Sequence, residues 1–329
     1  MGSSYSRPVP GPRLSVVLST IGMHQVLRRV LDAYDRQDLP PGDFELVLAV
    51  DAAEPDLPAV EEVAAGRSYP VRWARGERPG LSANRNAGRR AARAPIVLFT
   101  DNDTIPHADL VRRHLDWHAS HPEVETAVLG LVRWAPEIEV TTFMKWLDRG
   151  IQFDYPNIRG TEAGWGRFYG ANVSVKRAFA ERVGDFDEEH LPYGYEDLDW
   201  SYRASRLGLR VLFDRHAVVD HLREMTLEFW KRRAARVAVS ERAFTRLHPE
   251  LDPWFHRLFT DAAAQPPASG RGLKLARWVP PWVPLVGPRV WSSVDLSYRQ
   301  ALAPHFLEAW ESGESDGPDL SEREAEGGQ

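Results

Sequence analysis

The sequence contains no cysteine. That excludes disulfides, thiolate-bound zinc, iron–sulfur clusters and a thiol nucleophile, so chemistry falls to carboxylates, histidine, hydroxyls or an oxygen-liganded metal. No run of roughly 18 apolar residues occurs, and the Ser/Pro/Gly-rich residues 1–12 lack the apolar stretch of a leader, so a cytoplasmic protein is expected. A chain-wide basic footprint is missing too. Lys and Arg number 41 against 47 Asp and Glu, a net charge of −6, and residues 311–329 alone hold seven acids against Arg323. The remaining body is formally neutral, so nucleic acid is not an expected partner and any anion recognition must be local.

What is present is a globular composition, 43% hydrophobic over 329 residues. Apolar runs at 14–18, 44–50 and 96–100 alternate with helical patterns at 24–36, 57–65 and 83–92. Continuous rather than alternating apolarity predicts an α/β fold with a mostly parallel sheet and helices on both faces; ligands then sit beyond the carboxyl ends of the strands. Further strands are expected at 71–74, 126–133, 172–175, 211–213 and 218–221, and helices at 110–118, 177–183, 198–207 and 227–247. Residues 143–169 read as aromatic-rich loops. The expected division is a flexible start over 1–12, a main domain over 13–248 that splits at 106/107, a Trp/Pro-rich helical extension over 249–310, and a disordered acidic tail over 311–329.

Four constellations can carry chemistry. Asp101 and Asp103 flank Asn102 at a strand end, where two carboxylates can share a divalent cation and leave coordination sites for phosphate; the alternative is an Asx-rich turn. Gly80-Leu81-Ser82-Ala83-Asn84-Arg85-Asn86-Ala87-Gly88 opens a helix within residues 72–93, which hold seven arginines and suit a diphosphate. Residues 185–199 hold seven acids and no Lys or Arg, a density that a cleft tolerates only with compensation from metal or substrate. At the centre of that stretch is Tyr193-Gly194-Tyr195-Glu196-Asp197-Leu198-Asp199, suited to a sugar on an aromatic face beside a carboxylate. His221 closes a β-branched run and joins the Asp-x-Asp as a candidate metal ligand.

Together these segments resemble family 2 glycosyltransferases of the GT-A nucleotide-diphospho-sugar transferase fold over about residues 14–247, with a galactosyltransferase-like Glu-Asp-x-Asp in the second half. The resemblance implies a nucleotide-sugar half over 13–106 and an acceptor half over 107–248. It implies Asp51 at the nucleobase, Asp101 near the ribose, and Ser19, Thr20, Ser82, Arg85, Asn86 and Asn102 around the donor. It implies Mn²⁺ or Mg²⁺ on Asp103 and His221 with Asp101, and Asp197 as general base with Glu196 as a second acceptor contact. Tyr193, Tyr195 and Trp165 would form the acceptor platform, with Trp134 and Trp146 as further candidates. The implied reaction is a single inverting displacement from a UDP-sugar, with GDP and dTDP as alternatives, to a carbohydrate or small-molecule acceptor. Thr20-Ile21-Gly22 and Asp51-Ala52-Ala53 depart from the family's pattern at the nucleobase.

Three other functions compete, one of them a nucleotidyltransferase of related fold, in which the Glu-Asp-x-Asp segment has no evident role. Asp101-x-Asp103-Thr104 also resembles haloacid-dehalogenase-like phosphatases, in which Asp101 would be the nucleophile; against this, a long βαβ pattern precedes the motif and the lysines are only Lys145, Lys176, Lys231 and Lys274. A non-catalytic sugar-nucleotide-binding protein is the third. Residues 273–293, rich in Trp and Pro, read as a packed strap or self-association surface in preference to a peripheral membrane contact.

Overall fold

The computed structural model describes residues 11–191 and 194–313. Their strands, β1 (Leu14–Thr20), β2 (Phe44–Val50), β3 (Val71–Arg75), β4 (Ile96–Asp101), β5 (Thr104–Pro106), β6 (Thr126–Trp134), β7 (Asn172–Lys176) and β8 (Arg210–His221), form one sheet. Its order is β3-β2-β1-β4-β7-β6-β8-β5. Every residue of β1 and β2 is buried, as strands covered on both faces require. Two of the polar residues within them satisfy each other: Ser15 donates to Glu45 at 2.6 Å, and Glu45 also accepts from the Arg93 amide at 2.8 Å.

β1, β2, β3 and β4 pair in parallel, whereas β7 is antiparallel to both β4 and β6, and β5 is antiparallel to β8. The sheet is therefore parallel in its first half and mixed in its second, less uniform than the run pattern predicts. The expected separate strands at 211–213 and 218–221 are one strand, β8, whose pairing with β6 shifts register between Gly130 and Leu131. This topology gathers distant residues on one edge. Thr100 pairs with Asn172, Ser19 with Asp101, and both Thr104 and Trp134 with His221.

The helices are α1 (His24–Tyr34), α2 (Leu57–Ala64), α3 (Leu81–Ala91), α4 (Leu110–Ser120), α5 (Thr142–Leu147), α6 (Arg177–Val183), α7 (Glu196–Ser205), α8 (Leu227–Leu247), α9 (Trp254–Ala263), α10 (Arg271–Ala276) and α11 (Val286–Ser312). Successive side chains of β1 feed opposite layers. Val16 and Leu18 pack with Leu27, Leu31, Val60 and Leu110, whereas Val17 packs with Phe99, Val173 and Trp200. On the second face α3 lies close to the sheet, because a Cβ on Gly88 would stand 2.4 Å from Val17 Cγ1.

A third cluster joins α5, α8, α9 and α11 through Trp146, Trp230, Phe244, Phe259, Trp291 and Phe306. Helix α5 lies in a segment whose glycines predict loops, and α11 runs for 27 residues with Pro304 inside it. The start of the expected flexible segment and residues 314–329 of the expected acidic tail lie outside the described residues.

Candidate active site

Arg85, in the second turn of α3, is the hub of the strand-end edge. Its buried guanidinium donates to Asp197 at 2.7 Å and to Glu196 at 3.1 Å, and lies 3.5 Å from Asp101. The passage exists because residue 170 is glycine: a Cβ there would stand 2.4 Å from the guanidinium carbon. The Gly170 amide donates to the other Asp197 oxygen at 2.8 Å. Gly170 lies two residues before Asn172, which pairs with Thr100, so Asp197 is held beside the end of β4. Behind it, Trp200 of α7 stacks between Phe168 and Phe186, with centroids at 4.9 and 5.5 Å, and fixes the helix on the sheet.

The two acids at the start of α7 differ in access. The Glu196 side chain is 6% exposed and takes a second bond from the Gly194 amide at 2.7 Å, whereas the Asp197 side chain is 19% exposed. Glu196 therefore anchors Arg85 and the turn, in place of the expected acceptor contact. Burial pushes Asp197 up to about 7 against the opposing pull of Arg85, with Glu196 adding to the rise. Burial likewise raises Asp101 to about 6, again against Arg85.

Asp103 turns the other way. Its carboxylate is 3.5 Å from His221 Nε2, with both residues buried, and the His221 Nδ1 has no hydrogen-bond partner. Trp134 sets its ring edge-to-face with His221 at 5.5 Å. Burial lowers the His221 pKa, which favours the neutral ring that ligates a metal. An imidazole nitrogen facing a carboxylate is a donor set that fits a hard or borderline divalent cation. Asp101 lies instead 3.5 Å from Arg85, and among the described residues no group of three or more His, Asp or Glu side chains is placed to hold a metal ion. A cation here would take Asp103 and His221 as its protein ligands.

Asp51, at the end of β2, binds the chain itself. It accepts from the Gly80 amide at 2.9 Å, Asn84 Nδ2 at 2.8 Å and the Ala53 amide at 2.8 Å. Three of about four lone-pair sites are thereby used, leaving one open. Gly80, at φ +122°, supplies the turn into α3, a conformation that other residues rarely adopt. Ser82 is buried in the first turn of α3, and the buried Ser19 hydroxyl has no partner. Asn102 donates to Thr20 Oγ1 at 3.1 Å and to the Ile21 carbonyl at 3.3 Å, tying the Asp-x-Asp turn to β1.

Several expected ligands are structural instead. The Asn86 amide clamps the Phe186 backbone, donating at 2.9 Å and accepting at 2.9 Å, and also donates to Glu188 at 2.7 Å. Tyr195 is buried against Phe244, and its hydroxyl donates to Glu241 at 2.6 Å, so it presents no face to an acceptor. Trp146 is likewise core and donates to Asp295 at 2.9 Å. Trp165 is half-buried on Tyr202, at 5.1 Å. Tyr193 lies outside the described residues. The arginine and acid clusters meet each other: Arg89 and Arg90 both pair with Asp185, as Arg85 does with Glu196 and Asp197.

Glu54, which no motif flagged, accepts from the Gly22 amide at 2.7 Å, from the Asp56 amide at 2.9 Å, and lies 2.9 Å from His24 Nε2. It holds the β1–α1 and β2–α2 loops together at the sheet edge. A lone acid in a turn carries no sequence signal for this. Lys176, the lysine on β7, pairs with Ile96 at the far end of β4 from Asp101, away from where the phosphatase chemistry would need it.

The chain is similar to a validoxylamine A glucosyltransferase from Streptomyces hygroscopicus subsp. limoneus, 26% identical over 288 residues, with 75% of this chain and 60% of that relative covered. It thus spans about three fifths of that relative's length. In fold it is similar to a mannosyltransferase from Pyrobaculum calidifontis solved with GDP-Man and Mn²⁺, at a TM-score of 0.55 and 19% identity, covering 98% of this chain and 80% of that one. It is also similar to S. aureus TarS residues 1–349 solved with UDP-GlcNAc, at a TM-score of 0.51 and 14% identity, covering 94% of each. The profile described as glycosyltransferase-like family 2 matches residues 12–240, the same span that builds the sheet and the Arg85-centred edge, and the chain belongs to that family.

Proposed function

We propose that the protein transfers a sugar from a nucleotide diphospho-sugar, with a UDP-sugar as the expected donor, to an acceptor hydroxyl, with inversion at the anomeric carbon. The observation that carries this is the unequal pair at the start of α7: Asp197 is the reachable carboxylate, held on both oxygens beside the end of β4, while Glu196 is sealed behind it. As general base, Asp197 takes the proton of the acceptor hydroxyl as that oxygen attacks the anomeric carbon. The bond from that carbon to the diphosphate breaks on the opposite face, and the electron pair leaves with the nucleoside diphosphate. Asp103 and His221 would hold Mn²⁺ or Mg²⁺, which would supply positive charge to the departing diphosphate. Arg85 keeps Asp197 and Asp101 apart and oriented. Ser19, Thr20 and Asn102 line the donor side, Asp51 offers its remaining lone pair to the base, and Ser82 offers its hydroxyl at the start of α3.

The test is a panel of nucleotide sugars scored with Mn²⁺ for thermal stabilisation and for release of nucleoside diphosphate. Asp197→Asn should bind the stabilising donor as the parent does and transfer nothing. Full transfer by that variant removes Asp197 as the base, and no stabilisation by any donor removes the function.

A further inference from the structure

Residues 273–293 divide between two environments. Val290 and Trp291 are buried, and Leu273 and Val279 pack beside them, which is the expected strap. Trp278, Trp282 and Leu285 point away from the body, 78%, 79% and 78% exposed, with Leu275 and Val286 exposed beside them in sequence. We propose that this protrusion docks the protein on an anionic lipid surface.

Three observations favour that occupant. First, the protrusion is built rather than loose. The Trp278 and Val279 amides donate to the Leu275 carbonyl, Val283 to Pro280, Gly287 to Val283, and the Trp291 indole to the Val279 carbonyl. A Cβ on Gly287 would stand 2.6 Å from the Pro281 carbonyl oxygen, so the turn is seated on the start of α11. Little conformational entropy is then lost when the rings are buried.

Second, the charge is of one sign. Arg271, Lys274, Arg277 and Arg289 are exposed, Arg277 lies over the Trp278 ring at 5.7 Å, and no Asp or Glu occurs between Asp261 and Asp295. Tryptophan at the tip with cations around it matches a headgroup layer, where indoles sit at the interface and cations meet lipid phosphates. Third, a second copy is disfavoured by that same charge. A two-fold dimer apposes identical patches and would bring the four cations against another four. Among the described residues no helix is long and apolar enough to cross a membrane, so the contact is one of lying on the surface.

The test uses the full chain with vesicles of phosphatidylcholine containing 30% phosphatidylglycerol, beside vesicles of phosphatidylcholine alone. Sedimentation with the anionic vesicles, weakened by salt, and a blue shift of tryptophan emission are expected. W278S/W282S should lower partitioning by about tenfold or more, since binding scales with buried apolar area. R271Q, K274Q, R277Q and R289Q should each lower it about fivefold. Unchanged melting of the variants separates lost docking from lost folding. Equal partitioning of parent and W278S/W282S, or no sedimentation of the parent, overturns the proposal. So does a concentration-dependent dimer that W278S/W282S abolishes without vesicle binding.

Discussion

The end of β4 and the first two residues of α7 each present two carboxylates, yet they divide their work differently. At the β4 turn the pair splits in direction, with Asp101 towards Arg85 and Asp103 towards His221. At α7 both acids meet Arg85, and the pair splits in depth, with Glu196 sealed and Asp197 reachable. One buried guanidinium thus serves three carboxylates drawn from both pairs. Position relative to that charge, more than acid type, decides which carboxylate is left to meet a ligand.

The sharpest way to break this comparison is to remove the hub. Arg85→Met strands Asp101, Glu196 and Asp197 without their cation, and uncompensated buried charge costs about 3–5 kcal/mol. A steep drop in thermal stability should accompany loss of transfer; a variant that melts like the parent would show that the hub is dispensable.

Asp197→Asn should lower the transfer rate by about 10²–10⁴-fold with donor binding retained, as loss of a general base does. One amide hydrogen must then face either the Arg85 guanidinium or the Gly170 amide, so some stability is lost as well. Asp197 must be ionised to act, and its value is about 7, so the rate should rise with pH up to about 7 and fall towards acid. A profile of rate against pH, flat between pH 5 and 8, contradicts this assignment.

For the other pair, Asp103→Asn and His221→Ala should abolish the response of donor binding to Mn²⁺ while leaving melting without metal within about 1–2 kcal/mol of the parent. If Asp101→Asn alone erased that response, the split in direction would be wrong. The smallest effects on donor handling belong to residues moved out of the site. Asn86→Ala and Tyr195→Phe should cost about 1–3 kcal/mol of stability through unpaired buried groups, with the donor KM nearly unchanged.

The parallel half of the sheet was legible because β1, β2 and β4 carry apolar residues on both faces, the pattern of strands buried on both sides. Direction in the second half was not, since periodicity carries no sign, and β7 reads the same either way. The Asp-x-Asp and Glu-Asp-x-Asp were legible as clusters of charge. That Asp185, Glu196 and Asp197 are paired with Arg85, Arg89 and Arg90 was not, because the pairing spans about a hundred residues of chain. Tyr195 misled for the same reason: next to Glu196 in sequence, its ring turns to Glu241 and Phe244 on α8.

By itself the sequence determined the chemistry available: no thiol, a carboxylate-rich edge, one histidine at a strand end, and strands buried on both faces. Those follow from residue types and local periodicity, which need no partner. Only the tertiary structure decided which carboxylates are sealed and which are reachable, and which tryptophans of the extension are packed and which stand out. Exposure and charge compensation are properties of what the fold brings alongside, here Arg85 and Gly170 around Asp197, and solvent around Trp278 and Trp282.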